Sequence, residues 1–326
     1  ERVERTEVLR GAGQIVHGPL NNYGIVNFRT RRASVTPATV LELGGGSSAT
    51  FRRHAPHTRT IGRAGIVLAY TGVNADGTFD VERHRYDDAF ASTTLRLSDA
   101  TSVHATLTWF QERSRGYDEG NLTPAQFALH PRSKLVLGES REYNNMFVEY
   151  RRATVSLDTR AGERVRISAH AFGSEVDRPR FQTRGTAPAD GGVMEGRGRV
   201  YRMLGAEART EVDMPAQAAQ HTLQAGLRAE AHAFSDARPV GRPGEGLSWR
   251  SRGSARAVAG HDGYTRSGRL VEYRAPALSF FVQDIIRSGA WTVTPGVRFE
   301  TYEQERRVVH WPGSEEEGTT RAERNT

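Results

Sequence analysis

Apolar and polar residues alternate with a period of two over most of this chain. Between residues 222 and 234, Leu223, Ala225, Leu227, Ala229, Ala231 and Ala233 share one face. Gln224, Arg228, Glu230 and His232 share the other, with Gly226 between them. In the same way Val165, Ile167, Ala169 and Ala171 oppose Arg164, Arg166, Ser168 and His170, and Val103, Ala105, Leu107 and Trp109 oppose His104, Thr106 and Thr108. Trp291, Val293, Val297 and Phe299 oppose Thr292, Thr294, Arg298 and Glu300. Successive side chains of a strand point to opposite faces, whereas a helix repeats every 3.6 residues. The pattern therefore predicts strands near residues 38–47, 49–62, 64–72, 84–97, 101–115, 142–157, 163–177, 199–213, 220–236, 276–287 and 290–305. It predicts no amphipathic helix.

Alternation alone fits both a soluble sandwich, which buries its apolar face, and a membrane barrel, which turns that face to lipid. Connection lengths separate the two. Short links at Ser98–Ala100, Thr159–Gly162, Met214–Gln220 and Arg287–Gly289 take turns with long ones near 117–141, 178–198, 237–275 and from 307 onward. Short turns at one end and long loops at the other are the outer-membrane pattern, and structureless loops of that length are uncommon in compact soluble domains. Each predicted strand reaches the ~9–11 residues that cross a bilayer when tilted. About eleven strands is half of the ~22 found in plugged transporters. Half a barrel has open edges that hydrocarbon does not tolerate, so the complete protein is expected to continue on both sides of this sequence.

Composition is consistent with that architecture. The chain has 326 residues, no cysteine and a mean hydropathy of -0.59. No run approaches the ~18 apolar residues of a membrane helix, and the opening Glu1-Arg2-Val3-Glu4 has no apolar signal region. Without thiols there is neither a disulfide framework nor a thiolate metal site. The formal charge of +7 raises the question of nucleic-acid binding, but the 45 basic residues are spread among 38 acidic ones without a dense basic block. Nucleic acid is therefore not an expected partner. Lysine occurs once, as Lys134; the other cations are arginine, whose planar fork suits bidentate anion contacts.

The first thirty-odd residues differ from the rest. Two short strands, Glu4-Arg5-Thr6-Glu7-Val8-Leu9-Arg10 and Tyr23-Gly24-Ile25-Val26-Asn27-Phe28-Arg29-Thr30-Arg31, flank a loop punctuated by Gly11, Gly13, Gly18 and Pro19. This segment resembles the C-terminal end of the plug of TonB-dependent outer-membrane receptors, with the pattern E-R-x-E-V-x-R-G, then Y-G-x, then G-G-V-x-N-x-x-T-[RK]. Glu4, Arg5, Glu7, Val8, Arg10, Gly11, Gly18, Gly24, Val26, Asn27, Thr30 and Arg31 match; His17 and Tyr23 depart from it. Gly120-Asn121-Leu122-Thr123-Pro124 to Pro131-Arg132 is similar to an L-T-x-x-x-[FY]-x-x-x-P-R segment of the iron(III) dicitrate receptors and their relatives. Phe281-Val282-Gln283-Asp284 with Trp291 to Glu300 is similar to their F-V-Q-D…W-x-[LV]-T-P-G-[LV]-R-[YF]-E strand pair.

The resemblance implies an all-β chain, with residues 1–32 ending a plug and residues 33–326 forming the N-terminal part of an antiparallel transmembrane barrel. It implies a receptor of the Gram-negative outer membrane that imports a ferric chelate, iron(III) dicitrate or a related siderophore, with energy passed through TonB. It implies binding and gating rather than an enzyme, with no resident cofactor, and with membrane lipid and lipopolysaccharide as surroundings. An anionic chelate calls for forked cations. Arg113, Arg115, Arg178, Arg180 and Arg184 are the ligand candidates, with His17, Asn21 and Asn22 on the plug side. In the family, the positions of Glu7 and Arg10 hold plug to barrel, with Glu207, Arg209, Arg228 and Glu230 as possible wall partners. A cobalamin or carbohydrate cargo, a passive porin and a soluble β-rich binding protein are the alternatives. Enzymatic motifs are missing: Gly11-Ala12-Gly13 and Gly44-Gly45-Gly46 complete neither a dinucleotide fingerprint nor a P-loop, His54-Ala55-Pro56-His57 does not have helical ligand spacing, and no G-x-S-x-G occurs.

Overall fold

The computed structural model describes residues 3–10, 15–17, 24–77, 82–116, 123–132, 145–183, 194–216, 218–238, 240–241, 269–311 and 313–325. Two strands, β1 (Val3–Arg10) and β2 (Gly24–Thr30), pair with each other, and a 3₁₀ turn at Ile15–His17 lies between them. The remaining strands form one antiparallel sheet. They are β3 (Ala38–Thr39), β4 (Glu42–Gly46), β5 (Thr50–Ile61), β6 (Ala64–Asp76), β7 (Arg83–Arg96), β8 (Thr101–Arg115), β9 (Asn145–Ala161), β10 (Val165–Thr183), β11 (Met194–Pro215), β12 (Gln220–Arg238), β13 (Val240–Gly241), β14 (Arg269–Ser288), β15 (Trp291–Val293), β16 (Gly296–His310) and β17 (Thr320–Asn325). From β5 to β12 each strand pairs with the next in sequence, and β14, β16 and β17 continue the order. Among the described residues the ladder runs from β3 to β17 without closing on itself.

Short connections at 62–63, 97–100, 162–164, 216–219 and 289–290 lie at one end of the sheet, and the β4–β5 turn at 47–49 is a short one at the other end. Gly62, Gly162 and Gly289 take positive φ at the first end, a region that strongly favours glycine. The other end carries the long connections. Every range in which the alternation predicts a strand contains one, though 38–47 and 290–305 each hold two and β14 begins at Arg269, inside a stretch read as a long connection; three further departures are larger. The β10–β11 hairpin runs to Thr183 and Met194, so Arg178 and Arg180 sit on a strand rather than in a loop. Pro179 cannot donate to a ladder, and the β9–β10 ladder skips Arg178 and Pro179 and resumes at Arg180 in the same register. The stretch after 307 holds the rest of β16 and a further strand, β17, paired to it. A short helix, α1 (Pro124–Leu129), occurs where no helix is expected. Thr123 and Gln126 close a capping box around its first turn, and Pro124 stands at its start. All its residues but Gln126 are exposed, so it leaves no apolar stripe to find.

Unbroken registers carry one strand's facing to the next, since a slip of one residue would invert it. One row reads Leu107, Ala153, Gly173, Leu204, Ala231 and Pro276 across six strands. On this face the apolar positions run from Val165 to Gly173 in β10, Leu204 to Val212 in β11 and Leu223 to Ala233 in β12, stretches matching the ~9–11 residues of a tilted membrane strand. Large apolar side chains on it are exposed: Leu204 at 69%, Phe299 at 65%, Leu107 at 61% and Leu227 at 52%. The opposite face buries Glu207, Asp236, Ser279, Gln283 and Thr222 beside Phe281 and Phe172. A water-soluble sandwich would bury the oily rows instead.

Candidate functional site

The 3₁₀ turn identifies the interior face. Arg209 Nη2 donates to the Val16 carbonyl at 2.7 Å, and Arg298 Nη1 donates to the Ile15 carbonyl at 3.0 Å. The charged face of β11 and β16 is thus the one that meets the β1–β2 piece. The two guanidinium groups also lie 5.6 and 5.8 Å from the ring centroid of Phe281, which is fully buried. Arg298 Nη2 donates to Ser279 Oγ at 2.6 Å, and its Nε pairs with Glu300. Glu207, with a side chain only 1% exposed, pairs with both Arg209 and Arg228, and Arg228 reaches Glu230 at 2.5 Å. Buried charges held this way have partners for their desolvated atoms.

Glycines make room for the rings of this wall. A Cβ on Gly226 would lie 2.4 Å from the Phe281 ring and 3.0 Å from the Ala208 carbonyl, and one on Gly205 would lie 2.5 Å from Phe172. At Gly296 it would meet Ile15 Cδ1 at 2.7 Å, so the plug piece approaches the wall closely there. Gly226→Val is expected to lower stability by about 1–3 kcal/mol, the usual cost of overpacking. A denaturant titration checks this, with Ala225→Val on the outer face staying within about 0.5 kcal/mol. Toward the short-turn end the wall borders a cavity of about 740 Å³ lined by Val16, Arg166, Arg209, Glu211, Gln224 and Phe281, among others.

Further toward the long-connection end the same inward face changes character. Tyr201, Phe234 and Tyr273 stack across β11, β12 and β14, with ring centroids 4.6 and 5.5 Å apart. One inward step beyond them, Arg178, Arg199 and Asp236 lie in register. One step further, Arg180 faces Arg197 and Arg238 faces Arg269. Asp236, 5% exposed, pairs with Arg199 at 3.2 Å, Arg238 at 2.9 Å and Arg269 at 3.2 Å. Arg269 also lies 4.9 Å from the Trp311 ring centroid. Arg306 pairs with Glu316 of the β16–β17 connection at 2.9 Å, and that hydrogen bond holds the Glu316 carboxyl below its ordinary pKa. The result is an arginine-rich stretch of the inner wall next to a row of stacked aromatic rings. Among the described residues, no group of three His, Asp or Glu side chains is placed to hold a metal ion.

The candidate residues divide between faces. Arg178 and Arg180 point inward, and Arg178 Nη2 approaches Met146 Sδ at 3.8 Å. Arg113 and Arg115 share the parity of Leu107 and Trp109 in an unbroken ladder and lie on the outer face, Arg113 against the Phe147 ring at 5.9 Å. Glu7 bonds within the plug piece, to Asn27 at 2.9 Å, to Arg5 and to Arg29 at 3.0 Å. The Asn27 hydrogen bond, followed by Arg5, holds its carboxyl below the ordinary value. The plug-to-wall bonds described above come instead from the carbonyls of Ile15 and Val16. The side chains of Arg10 and His17, and the whole of Asn21, Asn22 and Arg184, lie outside the described residues.

Sequence reasoning missed Asp236, Arg199, Arg238, Arg269 and Arg298. The signal for Asp236 and Arg238 was the parity already read for Arg228 and Glu230 in β12, and for Arg199 that of Glu207 and Arg209 in β11, carried further along the strands; Arg298 was placed on a polar face but given no role.

A plug piece seated on the charged face of a large antiparallel sheet, with the oily face outward, defines the fold as part of a plugged antiparallel β-barrel. No protein-family model matches the chain. In sequence it is 26% identical to the vitamin B12 transporter BtuB of Vibrio vulnificus (strain CMCP6) over 126 residues, which is 36% of this chain and 21% of the transporter. In structure it is similar to the ferric citrate transporter FecA, with a TM-score of 0.77 at 19% identity over 98% of this chain and 45% of FecA. It is also similar to the siderophore receptor PiuA of Acinetobacter baumannii, with a TM-score of 0.75 at 12% identity over 99% of this chain and 50% of PiuA. The chain thus spans about half the length of the structures it matches.

Proposed function

We propose that this chain is the end of the plug and the first part of the barrel of a TonB-dependent outer-membrane receptor that imports an anionic ferric chelate, iron(III) dicitrate or a related siderophore. The observation that carries this reading is the inward wall of Arg178, Arg180, Arg197, Arg199, Arg238 and Arg269 beyond the plug piece. Carboxylates of a ferric chelate suit forked guanidinium groups, and charge-assisted bonds of that kind are the strong ones. On this reading the long connections are extracellular, TonB supplies the energy through the plug, and outer-face arginines such as Arg113 and Arg115 meet lipopolysaccharide phosphates.

A corrinoid cargo is the second reading, favoured by the 126-residue likeness to the vitamin B12 transporter. It is ranked lower because a corrinoid carries little net charge to meet so many guanidinium groups.

Radiolabelled iron with excess citrate, given to a Gram-negative host lacking its own ferric citrate uptake, separates the two. Accumulation that needs both this protein and TonB is expected, while cyanocobalamin is not taken up. Arg178→Ala with Arg180→Ala is expected to weaken apparent affinity about 100-fold or more, since each charged hydrogen bond contributes about 1.5–3 kcal/mol. Arg113→Ala with Arg115→Ala is expected to change it less than about twofold, because both side chains lie on the outer face, away from the interior wall. Uptake of cyanocobalamin without uptake of iron would reverse the order of the readings.

A further inference from the structure

We infer that Asp236 is a positioning residue for the anion-binding wall: it holds three guanidinium groups in one array and is required for tight binding although its own charge opposes an anion. This rests on the proposed ferric-chelate reading. The wall at this level carries Arg178, Arg180, Arg197, Arg199, Arg238 and Arg269 on β10, β11, β12 and β14. Asp236 is the one carboxylate that touches more than one of them among the described residues. It is nearly solvent-free, at 5% exposure, and sits at the centre of the array.

The atoms used are informative. Arg199 and Arg238 both donate to Asp236 through Nε, Arg199 to Oδ1 at 3.2 Å and Arg238 to Oδ2 at 2.9 Å. Anchoring through Nε leaves both terminal nitrogens of each fork to other acceptors. Arg269 donates to Oδ2 through Nη2 at 3.2 Å and lies against Trp311, which fixes its plane from the other side. The three side chains keep 25% to 34% of their surface exposed, so the array is anchored at its base and open toward the interior.

Without an anchor, like-charged forks in one row repel, and each regains rotamer freedom that binding must then remove. A ligand with several carboxylates gains most from an array set in advance. Simple electrostatics predicts the opposite outcome for the loss of this acid, since deleting a negative charge raises the potential that an anion meets. The two accounts therefore differ in sign at one residue.

The test is Asp236→Asn, which keeps the size of the side chain and removes its charge, in the full-length protein with iron(III) citrate as the probe. Binding is expected to weaken tenfold or more, with the folded, heat-modifiable band on gels unchanged. In an Arg269→Gln background the same substitution is expected to cost distinctly less, because the two residues act as a unit; a general loss of structure would give additive effects. Equal or tighter binding by Asp236→Asn would overturn the inference. A second measurement needs no ligand: phenylglyoxal is expected to modify Arg199, Arg238 and Arg269 several-fold faster in Asp236→Asn than in the unmutated protein, read by peptide mass spectrometry. Unchanged rates would overturn the anchoring. Failure of the unmutated protein to bind iron(III) citrate, with the rate change present, would count against the cargo and leave the anchoring supported.

Discussion

Glu207→Ala is expected to lower the unfolding free energy by about 3–5 kcal/mol, the usual cost of removing one partner from a buried ion pair. Glu207 is the most enclosed acid of the interior wall, and it stands between Arg209 and Arg228. Its loss would leave two cations facing each other in a confined space beside Phe281 and Phe172. Arg228 keeps Glu230, and Arg209 keeps the Val16 carbonyl. The strain therefore falls on the seat of the plug piece as well as on the wall. Denaturant titration of the protein folded into phospholipid vesicles measures the change. Glu207→Gln is expected to recover part of it through hydrogen bonding, and a loss below about 1 kcal/mol for the alanine would mean that the cluster is solvated in the folded protein.

The second large effect comes from the opposite face. Leu227→Arg is expected to cost about 2–4 kcal/mol, as measured for arginine at the bilayer midplane of outer-membrane barrels. Leu227 lies midway along the apolar run of β12, beside Ala208 on one strand and Phe280 on the other. His232→Arg is the control on the same strand. Its inward side chain is 46% exposed next to Glu230, and a change within about 0.5 kcal/mol is expected there. The contrast depends on parity alone, since both variants introduce the same side chain into one strand.

The architecture was legible because a barrel wall needs only a period of two and a repeating difference between its turns. Residues 222–234 show the first and the short links at 98–100 and 287–289 the second, and both survive without any tertiary information. Strand ends were less legible. Residues 178–198 were read as a long connection, yet the hairpin continued because the ladder to β11 runs on through Pro179. α1 was hidden because a single capped turn with an exposed surface has no periodicity, although Thr123, Pro124 and Gln126 spell its start. The ligand-facing residues were the least legible, for a physical reason. Composition says that arginine is abundant, but only register says which face each one takes. Arg113 and Arg178 look equivalent in sequence and point to opposite sides of the wall. Asp236 carries no motif; its meaning appears only when β11, β12 and β14 bring Arg199, Arg238 and Arg269 around it.

Facing is the claim on which all of this depends, and the absence of cysteine from the sequence makes it directly measurable. Single cysteines at Leu204, Leu227 and Phe299, and at the inward positions Gln224, His232 and Arg152, would be spin-labelled in the membrane-inserted protein and their collision rates with oxygen and a water-soluble nickel chelate compared. The first three are expected to be accessible to oxygen and shielded from nickel, and the second three to show the reverse preference. Nickel access at Leu204, Leu227 and Phe299 with oxygen access at the inward set would contradict the account.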